Sequence, residues 1–332
     1  MTYDVHAHCI PAEFRDWLAE RGPGIGARIV EVKGGQAVDF AGKVTTGAQF
    51  GQGSLTDGEA RLEAMDRMGI DVQVLAGWID LTGYELGRDA AQEYSRAHNE
   101  ALAGEASRAA TRFRSLGTVP LQFPDLAVGA LEDAMSRLGM SGVQVATTVE
   151  GRFLDQVEGL DAFWEAAADL GAFVLLHPMR PLSGLDLTRY GMDNAVARPV
   201  ETSVALAGLI MSGVFERYPG LVLCAVHGAG FLPYQIGRLD KAFRQSPDVA
   251  GARITKPPSE YLKTVYADTI VHNPQALAHL VAMLGIDRVM LGTDYPFPMG
   301  DQDPVALVNS TPGLGAEEIK AITSENAGRL LG

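Results

Sequence analysis

The chain has 332 residues, of which 47% are hydrophobic, enough for a large buried core. Length alone predicts about two domains of ~150 residues, but barrels of ~250 residues or more commonly form one domain. We expect one domain over 1–332. The formal net charge of −14 disfavours nucleic acid and anionic membranes as partners. A small anionic substrate is not excluded, because a metal ion and one arginine make a site locally positive.

The cysteines and the N-terminal residues predict the compartment. Cys9 and Cys224 are the two cysteines of the chain, too few for a disulfide framework, which favours a reducing compartment. The opening residues MTYDVHAH lack the features of a secretory signal, and no apolar run reaches the ~18 residues of a membrane span. We therefore expect a cytoplasmic protein.

Short apolar runs rich in β-branched residues predict eight β-strands. Most are apolar without alternation, which is typical of parallel strands covered on both faces. In chain order the predicted strands cover residues 3–6, 72–75, 115–119, 142–146, 173–176, 222–226, 264–267 and 289–291.

Stretches of helical periodicity separate these strands. The segment 274–284 has apolar residues at 277, 280, 281 and 284, one face of a helix. Other predicted helices cover 55–68, with Thr56 or Asp57 as cap, and 124–138, 161–170 and 233–243. Eight repeats of strand and helix predict an α/β fold, a (β/α)₈ TIM barrel.

Two stretches interrupt this alternation. Residues 21–54 are Gly-rich and partly alternating, and we expect a small insertion after the first strand that forms a lid or hairpin. Residues 180–198 predict an irregular loop after the fifth strand that lines the site.

Candidate metal ligands follow four of the predicted strands. Barrel enzymes place their chemistry at the C-terminal ends of the strands. His6 and His8 end the first strand, and alternation places them on one side of it. His177, His227 and Asp294 follow the fifth, sixth and eighth strands. The five side chains are therefore expected to meet at one mouth of the barrel.

Each of these residues is a weak indication by itself. A lone histidine after a strand is a ligand in roughly one case in four, and an aspartate there is commonly a helix cap. Together, three histidines and a carboxylate suit Zn²⁺, with Mn²⁺ and Fe²⁺ as alternatives. Residues 142–147 contain no lysine, which argues against a carbamylated-lysine bridge and a two-metal site.

Longer motifs carry a family resemblance. They are DVHAHCIP at 4–11, GTVPLQ at 117–122, GVQV at 142–145, HP at 177–178, ETS…IMSGVFERYPGL at 201–221, HGAGFLPYQIGRLD at 227–240 and GTDYPFPMG at 292–300. With these motifs the chain resembles, nearly end to end, the amidohydrolase superfamily. More narrowly, the chain resembles the 2-amino-3-carboxymuconate-6-semialdehyde decarboxylases and the related γ-resorcylate and 5-carboxyvanillate decarboxylases.

The resemblance implies a role for each matching residue. The metal ligands would be His6, His8, His177 and Asp294, holding one divalent metal per subunit, with Zn²⁺ expected and Mn²⁺ the alternative. His227 would be an acid–base histidine that is not a ligand, with Asp294 also catalytic. Arg238 would hold the substrate carboxylate from the neighbouring subunit of a homodimer, and Phe297 would lie against the substrate.

The chain also departs from the family pattern. Residues 40–56 contain only Lys43 as a basic residue, where the family has an arginine; Gln49 or Gln52 falls near that place. Met179 and Asn194 stand where the family has tryptophans, so both are expected substrate contacts. We therefore expect a substrate other than aminocarboxymuconate semialdehyde.

These observations predict a metal-dependent, non-oxidative decarboxylase of an aromatic or dienoic carboxylic acid. The alternative is a metal-dependent hydrolase of a lactone, ester or amide, or a hydratase, acting at the same site. A non-enzymatic metal scaffold is disfavoured, because acid–base and metal-binding groups occur together.

Overall fold

Eight parallel strands form a barrel in the computed structural model, which describes residues 1–45, 49–179, 187–245 and 251–331. Neighbouring strands pair in chain order. The backbone N–H of Val5 donates to the carbonyl of Leu291 at 3.0 Å, and Ala7 pairs with Tyr295, which brings the last strand against the first. The strands are β1 (Tyr3–Cys9), β2 (Val72–Gly77), β3 (Phe113–Gly117), β4 (Gly142–Ala146), β5 (Phe173–His177), β6 (Val222–Ala225), β7 (Tyr266–Asp268) and β8 (Val289–Met290).

The predicted (β/α)₈ barrel is confirmed, and so is the placing of all eight strands to within a few residues. Helices surround the barrel and connect its strands. The α-helices are Ala12–Ile25, Gly53–Thr56, Gly58–Met68, Arg88–Ser107, Pro124–Ser136, Asp161–Asp169, Arg198–Met211, Val214–Arg217, Leu232–Gln245, Pro258–Leu262, Pro274–Leu284, Pro304–Asn309, Ala316–Lys320 and Asn326–Leu331. Single turns of 3₁₀ or π geometry cover Ile79–Leu81, Leu154–Gln156, Arg189–Gly191, Asp193–Ala197, Ile286–Arg288 and Ala321–Glu325.

Helix starts follow the local capping chemistry. The helix predicted over 55–68 begins at Gly58, because the side chain of Asp57 accepts a hydrogen bond from the N–H of Ala60 at 3.0 Å. Thr56 belongs instead to the separate short helix before it. Pro124 occupies the first turn of its helix, where its missing N–H costs no hydrogen bond.

A small antiparallel sheet lies within the predicted insertion at 21–54. The helix after β1 continues to Ile25, and the sheet then follows as Ala27–Val32, Gly35–Phe40 and Lys43–Val44. Gln49 pairs with Gln36 of its middle strand. The sheet thereby leads the chain back toward the mouth of the barrel. A second hairpin, Thr148–Val149 with Arg152–Phe153, follows β4. The predicted loop at 180–198 lies outside the described residues over 180–186, and the two turns at 189–197 follow.

Buried apolar side chains form two clusters. The larger packs the outer faces of the strands against the surrounding helices. The smaller collects Val74, Leu116, Leu175, Cys224 and Met290, side chains of strands from opposite sides of the barrel, and so fills its interior. No helix among the described residues is long and apolar enough to cross a bilayer. The rigid barrel positions the strand ends at which the polar residues collect.

Candidate metal centre and active site

Strand β1 presents two histidines toward one point. His6 and His8 are fully buried, and their Nε2 atoms lie 3.2 Å apart. The ring of His177, at the end of β5, lies 5.1 Å from that of His6 and 5.0 Å from that of His8, measured between centroids. One ligand atom from each of these rings and one carboxylate oxygen of Asp294 all lie within 4.8 Å of one another. The structure thus brings together the four expected metal-binding residues.

The tautomers of the three imidazoles favour a cation at this point. Nδ1 of His6 lies 2.8 Å from the Asp268 carboxylate, Nδ1 of His8 lies 3.1 Å from the carbonyl of Gly77, and Nδ1 of His177 lies 2.7 Å from the carbonyl of Pro178. Because these oxygens only accept, each Nδ1 carries the proton and each Nε2 is left with a lone pair. Such outer partners are the usual support of metal-binding histidines.

Two further observations test whether a metal fits. Nε2 of His177 and Oδ1 of Asp294 are buried and have no hydrogen-bond partner in the described part of the chain. The unprotonated Nε2 atoms of His6 and His8 face each other, an arrangement that repels unless a cation lies between them. Three imidazole nitrogens and one carboxylate form a donor set typical of a single divalent transition metal. The residues therefore fit a metal ion.

Burial keeps the cluster in the protonation states that bind metals. Burial lowers the pKa of His6, and burial with the neighbouring histidines lowers the pKa of His177 well below its ordinary value. Burial would raise the pKa of Asp294, but the neighbouring histidines, His227 and His8 first among them, outweigh it and hold that pKa well below the usual range. Neutral imidazoles and an ionised carboxylate are the forms that metal binding requires.

Tight backbone turns deliver His227 and Asp294 to the site. Both residues have left-handed backbone geometry, with φ of 56° and 57°. Aspartate and histidine adopt this region more readily than most residues. The N–H of Asp294 donates to the carbonyl of His6 at 2.8 Å, which ties its turn to β1. After His227, Gly228 also has positive φ, and a Cβ on it would lie 2.4 Å from a methyl of Val271.

His227 stands beside the four-residue cluster. Its Nε2 lies 3.6 Å from Oδ2 of Asp294, and its ring centroid lies 5.4 Å from those of His6 and His177. The side chain is 13% exposed, whereas the side chains of His6 and His8 are fully covered. It therefore faces the solvent-accessible side of the cluster and one carboxylate.

Sequence reasoning missed Asp268, a fully buried carboxylate at the end of β7. Besides its contact with His6, it accepts the N–H of Gly228 at 2.9 Å and that of Ile270 at 3.2 Å. Asp268 therefore holds both His6, an expected metal ligand, and the turn that carries His227. Gly292 leaves room for this pair, because a Cβ there would lie 2.9 Å from the Cβ of Asp268 and 3.2 Å from that of His6. Asp268 directly follows the predicted strand 264–267, and this position could have identified it as a candidate site residue.

A buried network that was also missed fixes β1. Oδ2 of Asp4 accepts hydrogen bonds from Thr293 at 2.6 Å and from Gln73 at 2.8 Å. Gln73 in turn accepts from Arg61, whose second terminal nitrogen donates to the carbonyl of His8 at 2.5 Å. Burial raises the pKa of Asp4 to about 6, against the lowering effect of these hydrogen bonds. The network joins the backbone of His8 to β2, to the segment that follows β8 and to the helix Gly58–Met68.

A cavity of about 280 Å³ opens above the cluster, a size suited to a single substituted ring. The described residues that line it are Gln49, Trp78, Ile79, Asp80, His177, Asp193, Asn194, Arg198, His227, Asp294, Phe297, Pro298 and Met299. The ring of Phe297 lies 5.2 Å from that of His8. Gln49 lines the wall, whereas Gln52 is exposed on the surface. Of the two glutamines near the position of the family's arginine, Gln49 is therefore the one that reaches the cavity.

Two expected substrate contacts are not among these lining residues. Met179 is 4% exposed; its sulfur accepts from the hydroxyl of Thr82, and its N–H donates to Glu201. Arg238 is exposed on the helix Leu232–Gln245. Within one chain, then, Asn194 and Phe297 line the cavity, whereas Met179 is buried against Thr82 and Glu201 and Arg238 is exposed on its helix.

The family model described as Amidohydrolase matches residues 3–332. The chain therefore belongs to the amidohydrolase family.

Several decarboxylases are similar to this chain. The chain is 33% identical over 270 residues to 2-amino-3-carboxymuconate-6-semialdehyde decarboxylase of Dictyostelium discoideum, covering 81% of this chain and 74% of that protein. It is 28% identical over 292 residues to γ-resorcylate decarboxylase of Rhizobium radiobacter, covering 82% and 86%. The crystal structure of 5-carboxyvanillate decarboxylase from Novosphingobium aromaticivorans, with manganese and 4-hydroxy-3-methoxy-5-nitrobenzoic acid, is 25% identical with a TM-score of 0.80, covering 100% and 96%.

Proposed function

We propose that this chain is a metal-dependent, non-oxidative decarboxylase of an aromatic or dienoic carboxylic acid. The observation that carries the proposal is the four-residue metal cluster with His227 beside it, at the floor of a cavity sized for one ring. The relatives named above, which are decarboxylases of small unsaturated acids, support the same reaction. The substrate is accordingly a small carboxylate.

We propose one divalent metal per chain, held by His6, His8, His177 and Asp294. Zn²⁺ suits this donor set best, and Mn²⁺, which the solved relative contains, is the alternative. Metal analysis of the purified protein is expected to give about one equivalent. His177→Ala removes a ligand that no neighbour replaces and is expected to lose most of it. Two tightly bound metals, or unchanged content in the variant, would contradict the assignment.

The chemistry divides between the metal and the side chains. A divalent cation supplies positive charge that stabilises the negative charge developing on the substrate. When the bond between the carboxylate and its carbon breaks, CO₂ leaves and the electron pair stays on that carbon, which then needs a proton. His227, at 3.6 Å from the Asp294 carboxylate and open to the cavity, is placed to hold that proton on Nε2 and deliver it. Phe297, Asn194 and Gln49 form the wall that orients the ring.

Arg238 acts, in this proposal, in the cavity of a partner subunit. Its exposure and its absence from the lining residues described for its own cavity are consistent with such a role. Large apolar side chains are exposed on the helix of Arg238, on the neighbouring helix Arg198–Met211 and on the segments that precede these helices: Tyr190, Val196, Val204, Phe231 and Tyr234. An apolar face of this kind marks a protein interface, so we propose a homodimer.

Subunit mixing tests the arginine. Arg238→Ala and His177→Ala are each expected to be inactive, for different reasons. A hybrid dimer unites the intact metal site of one chain with the intact arginine of the other, so part of the activity returns. Verified hybrids without activity would remove the assignment. Arg238→Lys keeps the charge but loses the planar fork, and is expected to impair substrate binding.

The inserted sheet Ala27–Phe40 is proposed as a lid, because the segment that follows it brings Gln49 to the cavity wall. Cys9 and Cys224 are both free and buried. Free thiols support a reducing location, and we propose the cytoplasm.

Substrate screening decides the reaction. Metal-loaded enzyme is assayed for CO₂ release with a panel of aromatic and dienoic acids, beside a panel of lactones, esters and amides. His227→Asn serves as the matched inactive control, since it retains the metal ligands. CO₂ release that depends on His227 is expected. Turnover confined to lactones, esters or amides would replace the decarboxylase by a hydrolase, in which the same site activates water.

A further inference from the structure

Arg198 combines two features: it lines the cavity, and its described contacts leave its charge unmatched. It begins the helix Arg198–Met211, is half-buried, and lines the cavity. Its Nη1 donates to the carbonyl of Pro178 at 2.9 Å. Several other arginines pair with carboxylates, as Arg137 does with Asp133 and Arg217 does with Asp161. In the described part of the chain, Arg198 forms no ion pair.

The guanidinium group is held close to the metal cluster. The carbonyl of Pro178 that accepts from Arg198 also lies 2.7 Å from Nδ1 of His177. Two donors on one carbonyl place the arginine beside a metal-binding imidazole. A guanidinium has five N–H donors in a planar fork, and a single one is used in the described contacts. The others remain for a ligand in the cavity.

The charges of the cavity wall make this arginine distinctive. Over the described residues that line the cavity, Arg198 is the one lysine or arginine; the acids are Asp80, Asp193 and Asp294. Asp294 belongs to the metal cluster, Asp80 is buried and engaged in a contact of its own, and Asp193 is exposed on the preceding turn. Apart from the metal, Arg198 is thus the group of this wall that attracts an anion.

We propose that Arg198 binds a second carboxylate of the substrate, so that the site prefers aromatic or dienoic dicarboxylic acids. The inference rests on the proposed function, in which the first carboxylate is the one expelled at the metal. A planar carboxylate matches the guanidinium fork with two parallel hydrogen bonds, which an ammonium group cannot reproduce. Because Arg198 belongs to the same chain as the metal ligands, this recognition needs no partner subunit.

Calorimetric titration of the metal-loaded protein tests this assignment. The probes are benzoate and the three benzenedicarboxylates. Wild type is expected to bind at least one dicarboxylate about tenfold or more tighter than benzoate, the effect of one charged hydrogen-bonded pair. Arg198→Gln, which keeps a donor for Pro178, is expected to lose that preference while its benzoate affinity and metal content stay unchanged. Arg198→Lys is expected to fall between the two.

Arg189→Gln is the matched control. Arg189 lies on the turn Arg189–Gly191 before the helix of Arg198, is exposed and is not among the described lining residues of the cavity. This variant removes the same charge and is expected to keep the preference for the dicarboxylate. A wild type without dicarboxylate preference, or a preference that survives in Arg198→Gln, overturns the inference. Loss of metal in Arg198→Gln also overturns it, because Arg198 would then act by holding His177.

Failure of the decarboxylase proposal and failure of the Arg198 proposal give different results in these experiments. Release of CO₂ from monocarboxylic acids together with unselective binding of the dicarboxylates overturns the role of Arg198 alone. Selective binding of a dicarboxylate without CO₂ release from any acid overturns the decarboxylase and leaves the anion recognition in place.

Discussion

Replacing Asp268 by asparagine is expected to weaken metal binding although Asp268 is not a ligand. One carboxylate oxygen of Asp268 meets Nδ1 of His6 at 2.8 Å, while the other accepts the N–H groups of Gly228 and Ile270 at 2.9 and 3.2 Å. Asparagine has a single oxygen, and the two backbone donors will retain it. Its NH₂ group then faces Nδ1 of His6 in place of an acceptor.

Two donors cannot face each other, so the imidazole must change. His6 is expected to move its proton from Nδ1 to Nε2, the atom proposed to bind the metal, and so to bind it poorly. Loss of such an outer partner typically lowers metal affinity 10- to 100-fold, about 1.4 to 2.7 kcal/mol. Because the tautomer itself is reversed here, we expect the upper end of this range.

Competition with a chelator measures the effect. Apo protein is titrated with Zn²⁺ against a chelating dye, and the Tm of the apo form reports whether the variant is folded. Asp287→Asn is the matched control, since this carboxylate has a 62% exposed side chain and the variant removes the same charge far from the cluster. A folded Asp268→Asn variant with zinc affinity within about twofold of wild type would refute the reasoning.

Three other variants test separate parts of the argument. His227→Asn cannot exchange a proton at neutral pH; it is expected to keep the metal and lose about 10²- to 10⁴-fold in kcat, and loss of metal would make His227 a ligand. Gly292→Ala places a methyl 2.9 Å from the Cβ of Asp268 and 3.2 Å from that of His6; reduced metal affinity is expected, and wild-type affinity would mean that the pair tolerates displacement. His98 is buried, and burial lowers its pKa from 6.5 to about 3. Below pH 6.5 the unfolded chain therefore binds a proton that the folded chain does not, and the free energy of unfolding decreases as the pH decreases. Between pH 7.5 and pH 5, the decrease in the free energy of unfolding, measured with urea, should be about 2 kcal/mol smaller in His98→Phe than in wild type. An equal decrease in the two proteins would contradict this.

The sequence was sufficient for those features that depend on neighbouring residues. Buried parallel strands are apolar on both faces, so their runs were visible without alternation, and all eight appear in the structure. A barrel collects the ends of its strands at one mouth, so His6, His8, His177 and Asp294 could be expected to meet. Strand ends were less well placed, as at β3, predicted over 115–119 and observed at Phe113–Gly117, because a strand ends where its pairing ends.

Tertiary structure alone decided the environment of these residues. The contact of His6 with Asp268 joins residues 262 positions apart, and no periodicity in one chain indicates such a pair. The same holds for Gln49 lining the cavity instead of Gln52, and for the burial of Met179 against Thr82 and Glu201. Local sequence sets which residues end the strands, through burial and alternation. The hydrogen bonds that select tautomers and the shape of the cavity depend on loops and strands that become neighbours only when the barrel closes.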